Sequence, residues 1–130
     1  GSRGMHVYVR IEPAFGFRDV RRAALAFARE VERRAPDDVT TTWWRKDRDP
    51  AALFVDYNQN ARDHTMAAAY SVRGFPEATV STPITWDELE AGATIEDFRI
   101  DNVPPRLRDV GDLWAPVLAP KDRFDLRPLL

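Results

Sequence analysis

The chain opens on a two-residue alternation. In "MHVYVRI", Met5, Val7, Val9 and Ile11 fall on one side and His6, Tyr8 and Arg10 on the other. Side chains of a strand point alternately to opposite faces, so this spacing predicts a half-buried strand. "EPAFGF" reads as a turn. From Phe17 to Ala35 the period lengthens to that of a helix, with Val20, Ala24, Phe27 and Val31 on one stripe. Arg33 and Arg34 suit the negative end of its dipole, and Pro36 stops it. "VTTTWW" is β-branched and aromatic and predicts a second strand. The polar loop "RKDRDPA" leads to a third, "ALFVDY", with Leu53, Val55 and Tyr57 on one side and Phe54 and Asp56 on the other.

Beyond it, "HTMAAAYSV" predicts a short helix. Thr85 and Glu88 have the spacing of a capping box, so another helix starts there, and Thr94 and Asp97 repeat that logic. The remaining tail is Pro-rich, with an amphipathic turn around "GDLWAPVL", and reads as a wrapping segment. Strand, helix, strand, strand places helices over a sheet. The expected fold is α+β (layered α/β), with a mixed or antiparallel sheet and flanking helices.

Composition narrows this little. A chain of 130 residues suits one domain with one core. The formal charge of -2 argues for neither a strongly basic nucleic-acid protein nor an acidic tail. Nearly all the cations are arginine; only Lys46 and Lys121 are lysine. Arginine grips phosphate in a planar fork, although high Arg, Ala, Asp and Pro usage is also what a GC-rich genome produces. The absence of cysteine removes disulfides and thiolate metal sites. No apolar run reaches membrane length and no signal peptide is visible, so a cytoplasmic protein without a membrane partner is the default expectation.

The residue types that carry chemistry cluster in a few places. Asp56 sits between Phe54, Val55 and Tyr57, where a carboxylate is costly to bury alone. It needs an arginine, a hydrogen-bond network or a metal. Asn58, Gln59, Asn60 and Arg62 follow it directly, on the kind of strand-end loop that often carries sites and is equally an amide-rich turn. Gly1, Ser2, Arg3 and Gly4 form a short turn whose amides and guanidinium suit a phosphate, or simply turn the chain. His6 lies on the polar face of the first strand and His64 at a polar junction. Arg73 falls at the end of the predicted "HTMAAAYSV" helix, where it also suits the dipole. Asp47 and Asp49 make a D-x-D, but in a polar loop beside Pro50, where ligand directions are not fixed. Asp122 and Asp125 lie in the tail and are weaker still. There is no zinc spacing, nucleophile elbow or P-loop.

Taken in order, "GSRGMHVYVRI", "TTTWWRKDR", "LFVDYNQNARDHTMAAAYSVR" and "PEATVSTPITWDEL" resemble the polymerase/primase domain of bacterial DNA ligase D and its stand-alone relatives in the archaeo-eukaryotic primase superfamily. The resemblance covers essentially the whole chain. It implies a DNA-repair nucleotidyltransferase of non-homologous end joining, adding ribonucleotides by preference to DNA ends with two manganese or magnesium ions. It implies NTP or dNTP, DNA ends, Ku and the ligase domain as partners. Asp56 then matches the later of the family's three metal-binding carboxylates. Arg3, where the family usually has lysine, and His6 match its triphosphate motif. Gln59 and Arg73 match positions that contact the incoming nucleotide. Lys46 and Arg48 lie where the family has basic residues near the phosphates.

The resemblance also implies an incomplete domain. Residues 1–130 match its C-terminal portion, without the upstream D-x-D strand. The chain alone is then expected to be inactive, with Arg3, His6 and Asp56 converging at one end of the sheet. An uncovered strand edge, with Trp43 or Trp44 exposed, favours a homodimer. The alternative is a non-catalytic module that binds nucleotide or DNA phosphate or serves assembly.

Overall fold

A computed structural model of the chain describes residues 4–119 and 121–130. Its longest element, helix α1 (Phe17–Arg34), is bounded as the sequence predicts. Asp19 lies in the first turn and Arg33 and Arg34 in the last, each where the helix dipole favours its charge. Glu30 gathers both arginines: Arg33 donates to it through Nε and Nη2, and Arg34 through Nε, all at 2.8 Å. Those guanidinium groups lower the Glu30 carboxyl to about 2. The cluster is solvated, so it shapes the helix end more than it stabilises the fold.

The residues α1 buries are Ala23 and Ala28, while Phe27 of the predicted stripe is 57% exposed. Small side chains on that face let two neighbours pack against the helix: strand β1 (Val39–Thr40) and the 3-10 turn Arg127–Leu129. Ala28 is wholly buried. Ala28→Leu is therefore expected to overpack and destabilise by about 1–3 kcal/mol. Phe27→Ala should stay within about 0.5 kcal/mol. Thermal unfolding of the two variants checks the pair; equal losses would mean the buried face is misassigned.

Strand β1 pairs with β2 (Leu53–Phe54) in parallel, Val39 opposite Leu53 and Thr40 opposite Phe54. This corrects the expected antiparallel sheet. Antiparallel neighbours need only a tight turn; here the longer segment 41–52, with a 3-10 turn at Arg45–Asp47, brings the chain back to run in the same direction. Both strands are shorter than predicted. At β1 side chains replace the ladder: Glu32 accepts from the Thr41 amide at 2.8 Å and hydroxyl at 2.7 Å, and Thr40 Oγ1 accepts from the Thr42 amide at 3.1 Å.

The chain divides into two compact units. The elements above lie in the unit made of Ile11–Thr65 and Arg123–Leu130, closed by a parallel bridge between Ile11 and Phe124. The other unit comprises Gly1–Arg10 and Met66–Asp122. It holds α2 (Trp86–Glu90), a 3-10 turn at Ile95–Asp97, α3 (Val103–Val110) and α4 (Ala115–Leu118). Both predicted capping boxes form, around Thr85 with Glu88 and Thr94 with Asp97. Helix α3 was hidden by its prolines. Pro104 and Pro105 occupy the first turn, where a missing N–H costs nothing, and Gly111 at φ 78° follows the last residue.

Two predicted elements are corrected in this unit. "HTMAAAYSV" forms no helix: Tyr70 adopts a left-handed φ of 64°, and Val72 instead makes an antiparallel bridge with Val80. "MHVYVRI" is not a regular strand. Residues 4–10 carry no regular secondary structure. The covered side is also the opposite one. Tyr8 sets its ring edge-on to Trp114 at 4.6 Å, and Arg10 Nη1 donates to the Val117 carbonyl at 2.7 Å. Burial raises the Tyr8 hydroxyl pKa. Met5, Val7 and Val9 are left 51–63% exposed. Among the described residues no helix is long and apolar enough to cross a membrane.

Candidate functional site

The loop that leaves β2 is built around Asp56. Its Oδ1 accepts the Asn58 amide at 2.9 Å, a local turn that only a short side-chain oxygen can close. Asp56 is exposed, not buried as its apolar neighbours suggested, because β2 ends at Phe54. Among the described residues it makes no ion pair, so the expected alternative of an Asp–Arg pair is not what holds it. The second carboxylate oxygen is left for solvent or a ligand.

Next along the loop, Gln59 Nε2 donates to the Thr65 carbonyl at 3.1 Å, which bridges the loop and leaves the amide oxygen uncommitted. Asn60 Nδ2 reaches the Tyr57 carbonyl at 3.5 Å. Tyr57 itself is buried and anchors the loop in an aromatic cluster, 6.3 Å from the Phe54 ring and 6.2 Å from Trp43.

Two arginines hold this region in ways the sequence did not show. Arg21, on the polar side of α1, donates Nε to Asn58 Oδ1 at 2.6 Å and lies 5.4 Å from the Tyr57 ring centroid. It ties the helix to the turn that Asp56 closes. No local pattern pairs a helix's polar face with a distant loop, so no sequence signal marked it. The resemblance placed Arg48 among basic residues near the phosphates, not as a support of this loop. Its guanidinium stacks 3.4 Å over the Phe54 ring and donates to the Thr42 and Trp43 carbonyls at 2.7 and 2.6 Å. These bonds fix the "WWRKDR" loop and leave Trp44 64% exposed. Beside it, Arg45, Arg48, Asp49, Pro50, Ala52 and Phe54 line an open cleft of about 340 Å³.

The remaining site residues lie in the other unit or outside the described chain. Arg3 is outside the described residues, and its expected convergence with His6 and Asp56 falls there too. His6 is exposed, its Nδ1 3.4 Å from the Tyr8 hydroxyl and its ring edge-on to Tyr8 at 5.8 Å. Arg73 is not at a helix end. Its amide donates to the Thr79 carbonyl at 2.7 Å beside the Val72–Val80 bridge, and its half-buried guanidinium has no partner among the described residues. Of the D-x-D pair, Asp49 Oδ1 accepts the Ala51 amide at 2.9 Å in a local turn. Asp125 pairs with Arg127 at 2.7 Å.

The donor set answers whether a divalent cation fits. Hard cations take several oxygen ligands. Asp56 offers one suitable oxygen, yet among the described residues no three His, Asp or Glu side chains gather to hold a metal. The described residues alone do not complete a cation site.

With this geometry in place, the comparisons with known proteins are direct. The family described as LigD, primase-polymerase domain, matches residues 1–114. The multifunctional non-homologous end joining protein LigD of Mycolicibacterium smegmatis is 37% identical over 117 residues, 90% of this chain and 15% of that protein. The bifunctional non-homologous end joining protein LigD of Bacillus subtilis is 31% identical over 112 residues, 85% of this chain and 18% of that protein. The polymerase domain of Mycobacterium tuberculosis ligase D, solved in complex with DNA, matches with a TM-score of 0.71 at 33% identity. That match covers 78% of this chain and 35% of the solved one. The chain thus spans less than a fifth of these full-length relatives and about a third of the solved domain.

Proposed function

Because the chain belongs to the LigD primase-polymerase domain family, we propose that it forms the nucleotide-facing, C-terminal part of a DNA end-joining polymerase. The observation that carries this reading is the loop after β2. It presents an exposed carboxylate with a free oxygen, Asp56, and a half-committed amide, Gln59, on one braced turn within the matched region.

In this reading Asp56 is one ligand of the divalent cations, manganese or magnesium, and the other carboxylates come from the rest of the domain. The bound cations supply charge compensation when a DNA 3'-hydroxyl displaces pyrophosphate. Gln59 fixes the incoming nucleotide. Arg3, His6 and Arg73 neutralise its triphosphate; arginine suits this role because its planar fork matches phosphate oxygens. The substrates are NTP or dNTP and a DNA end, the setting is the cytoplasm, and Ku and a ligase domain are the associated machinery.

The test is extension of a recessed DNA end with manganese and ribonucleotides. The chain alone is expected to add nothing, because one carboxylate cannot hold two cations in register. Joined to the part of the M. tuberculosis polymerase domain outside the structural match, it is expected to restore templated addition. Addition by the chain alone would overturn the division of labour; a folded but silent joined protein would favour a non-catalytic nucleotide-binding or assembly module.

A further inference from the structure

Asp56, Asn58 and Gln59 each keep a hydrogen-bonding group uncommitted, and the groups differ in kind. Asp56 keeps a carboxylate oxygen, an acceptor. Gln59 spends an N–H on the Thr65 carbonyl at 3.1 Å and keeps its amide oxygen, again an acceptor. Half-buried Asn58 is the reverse: its Oδ1 accepts Arg21 Nε at 2.6 Å. An arginine side chain only donates, so the amide oxygen faces it and Nδ2 faces away. Among the described residues Nδ2 has no partner, and both of its protons are left to donate.

The bond that aims this amide closes a ring of contacts within one compact unit. Helix α1 packs on β1, β1 pairs with β2, β2 leads into the loop, and Arg21 returns from the loop to α1. Its guanidinium lies 5.4 Å from the centroid of the buried Tyr57 ring, a second hold on the same side chain. Asn58 is fixed from its backbone as well, because its amide N–H closes the turn onto Asp56 Oδ1 at 2.9 Å.

From this we infer that Asn58 binds a phosphate oxygen of the incoming nucleotide through Nδ2, and that Arg21 is the residue that positions it. The inference rests on the reading that this loop faces the nucleotide. Phosphate oxygens only accept, so they must be met by donors. The free oxygens of Asp56 and Gln59 repel them; the Gln59 oxygen suits a hydroxyl or amino group of the nucleoside instead. Asn58 supplies the missing donor. Donation by Arg21 to the amide oxygen polarises the amide and strengthens its N–H groups, and the guanidinium charge behind it favours an anion over a neutral acceptor.

A bond that merely braces the loop is separated from this role by Asn58→Asp. Aspartate keeps an oxygen for Arg21 and replaces the donor by a second, negatively charged acceptor. The chain titrated with magnesium–ATP, followed by NMR, should show shifts in the side-chain amide signals of both Asn58 and Gln59. With inorganic tripolyphosphate in place of ATP, Asn58 should still shift. Asn58→Asp should weaken ATP binding at least about tenfold, with no fall in melting temperature. Arg21→Ala, which leaves the donor in place but loose, should weaken it about threefold and shrink the Asn58 shift while that of Gln59 persists. Binding by Asn58→Asp within twofold of the native chain would overturn the proposal, as would an Asn58 signal that answers ATP but not tripolyphosphate. A shift at Gln59 with Asn58 silent would overturn it and leave the reading of the loop standing; silence at both would overturn the two together.

Discussion

In the joined polymerase, Asp56→Asn is expected to slow nucleotide addition at least about 1,000-fold, near 4 kcal/mol of barrier, while leaving the melting temperature unchanged. The two halves of this expectation come from the two oxygens. Oδ1 closes the turn onto the Asn58 amide at 2.9 Å, and an asparagine side chain keeps an oxygen able to do so. The loop, braced also by Arg21 on Asn58 Oδ1 at 2.6 Å, should therefore persist. What is lost is the negative charge, and a neutral amide is a poor substitute for a carboxylate beside a hard divalent cation. Asp56→Ala separates the terms further: it removes the charge and the turn, so it should match the loss of activity and add about 0.5–1.5 kcal/mol of instability. Extension rates under single-turnover conditions with manganese, alongside thermal melts, check both. An Asp56→Asn enzyme within tenfold of its parent would remove Asp56 from the metal site.

The features legible in the sequence are those set by neighbours along the chain. Helix α1 and the capping boxes at Thr85 and Thr94 depend on residues three or four positions apart, and they form where the spacing puts them. The family motif "FVDYNQNARD" likewise marked Asp56 and Gln59, which share one loop after β2. What escaped depends on residues that meet only after folding. Alternation at Met5–Ile11 indicates two faces but not which is covered; that is decided by Trp114, which packs T-shaped against Tyr8. Helical spacing in "HTMAAAYSV" loses to the left-handed Tyr70 and the pairing of Val72 with Val80. In the Pro-rich tail, read only as a wrapping segment, Pro104 and Pro105 lie in the first turn of α3, the part of a helix that needs no amide donor. Arg21 and Arg48 escaped as site supports because arginines on a polar face or in a polar loop are ordinary until a carbonyl or an amide faces them.

The largest loss of stability is expected from Arg106→Met. Arg106 Nη2 donates to Glu88 Oε1 at 2.5 Å, with side chains only 16% and 34% exposed. Its guanidinium also lies 5.4 Å from the Phe98 ring centroid. Glu88 Oε2 meanwhile accepts the Thr85 amide at 2.7 Å. One carboxylate thus closes the start of α2 and anchors α3. Methionine keeps much of the arginine stem's volume but leaves a half-buried carboxylate without its cation. Losing a charged hydrogen bond of this kind should cost about 2–3 kcal/mol, or roughly 10 °C in melting temperature for a chain of this size.

The pH dependence gives the sharper test of that contact. The Arg106 bond first, and then the Thr85 amide, hold the Glu88 carboxyl below its ordinary range. A carboxylate whose folded pKa is depressed contributes stability above its unfolded value and loses it as pH falls through the folded value. The gap between wild type and Arg106→Met should therefore be full at pH 7 and shrink once pH drops below the ordinary glutamate range. Glu88→Gln, which keeps an oxygen acceptor for the capping box, should show little of that dependence, and combining it with Arg106→Met should cost less than the sum of the two. Melts from pH 7 to 3 measure all four proteins. A gap that stays constant across that range would mean Arg106 acts by packing on Phe98 alone, and a loss under about 0.5 kcal/mol at pH 7 would mean the contact stabilises nothing.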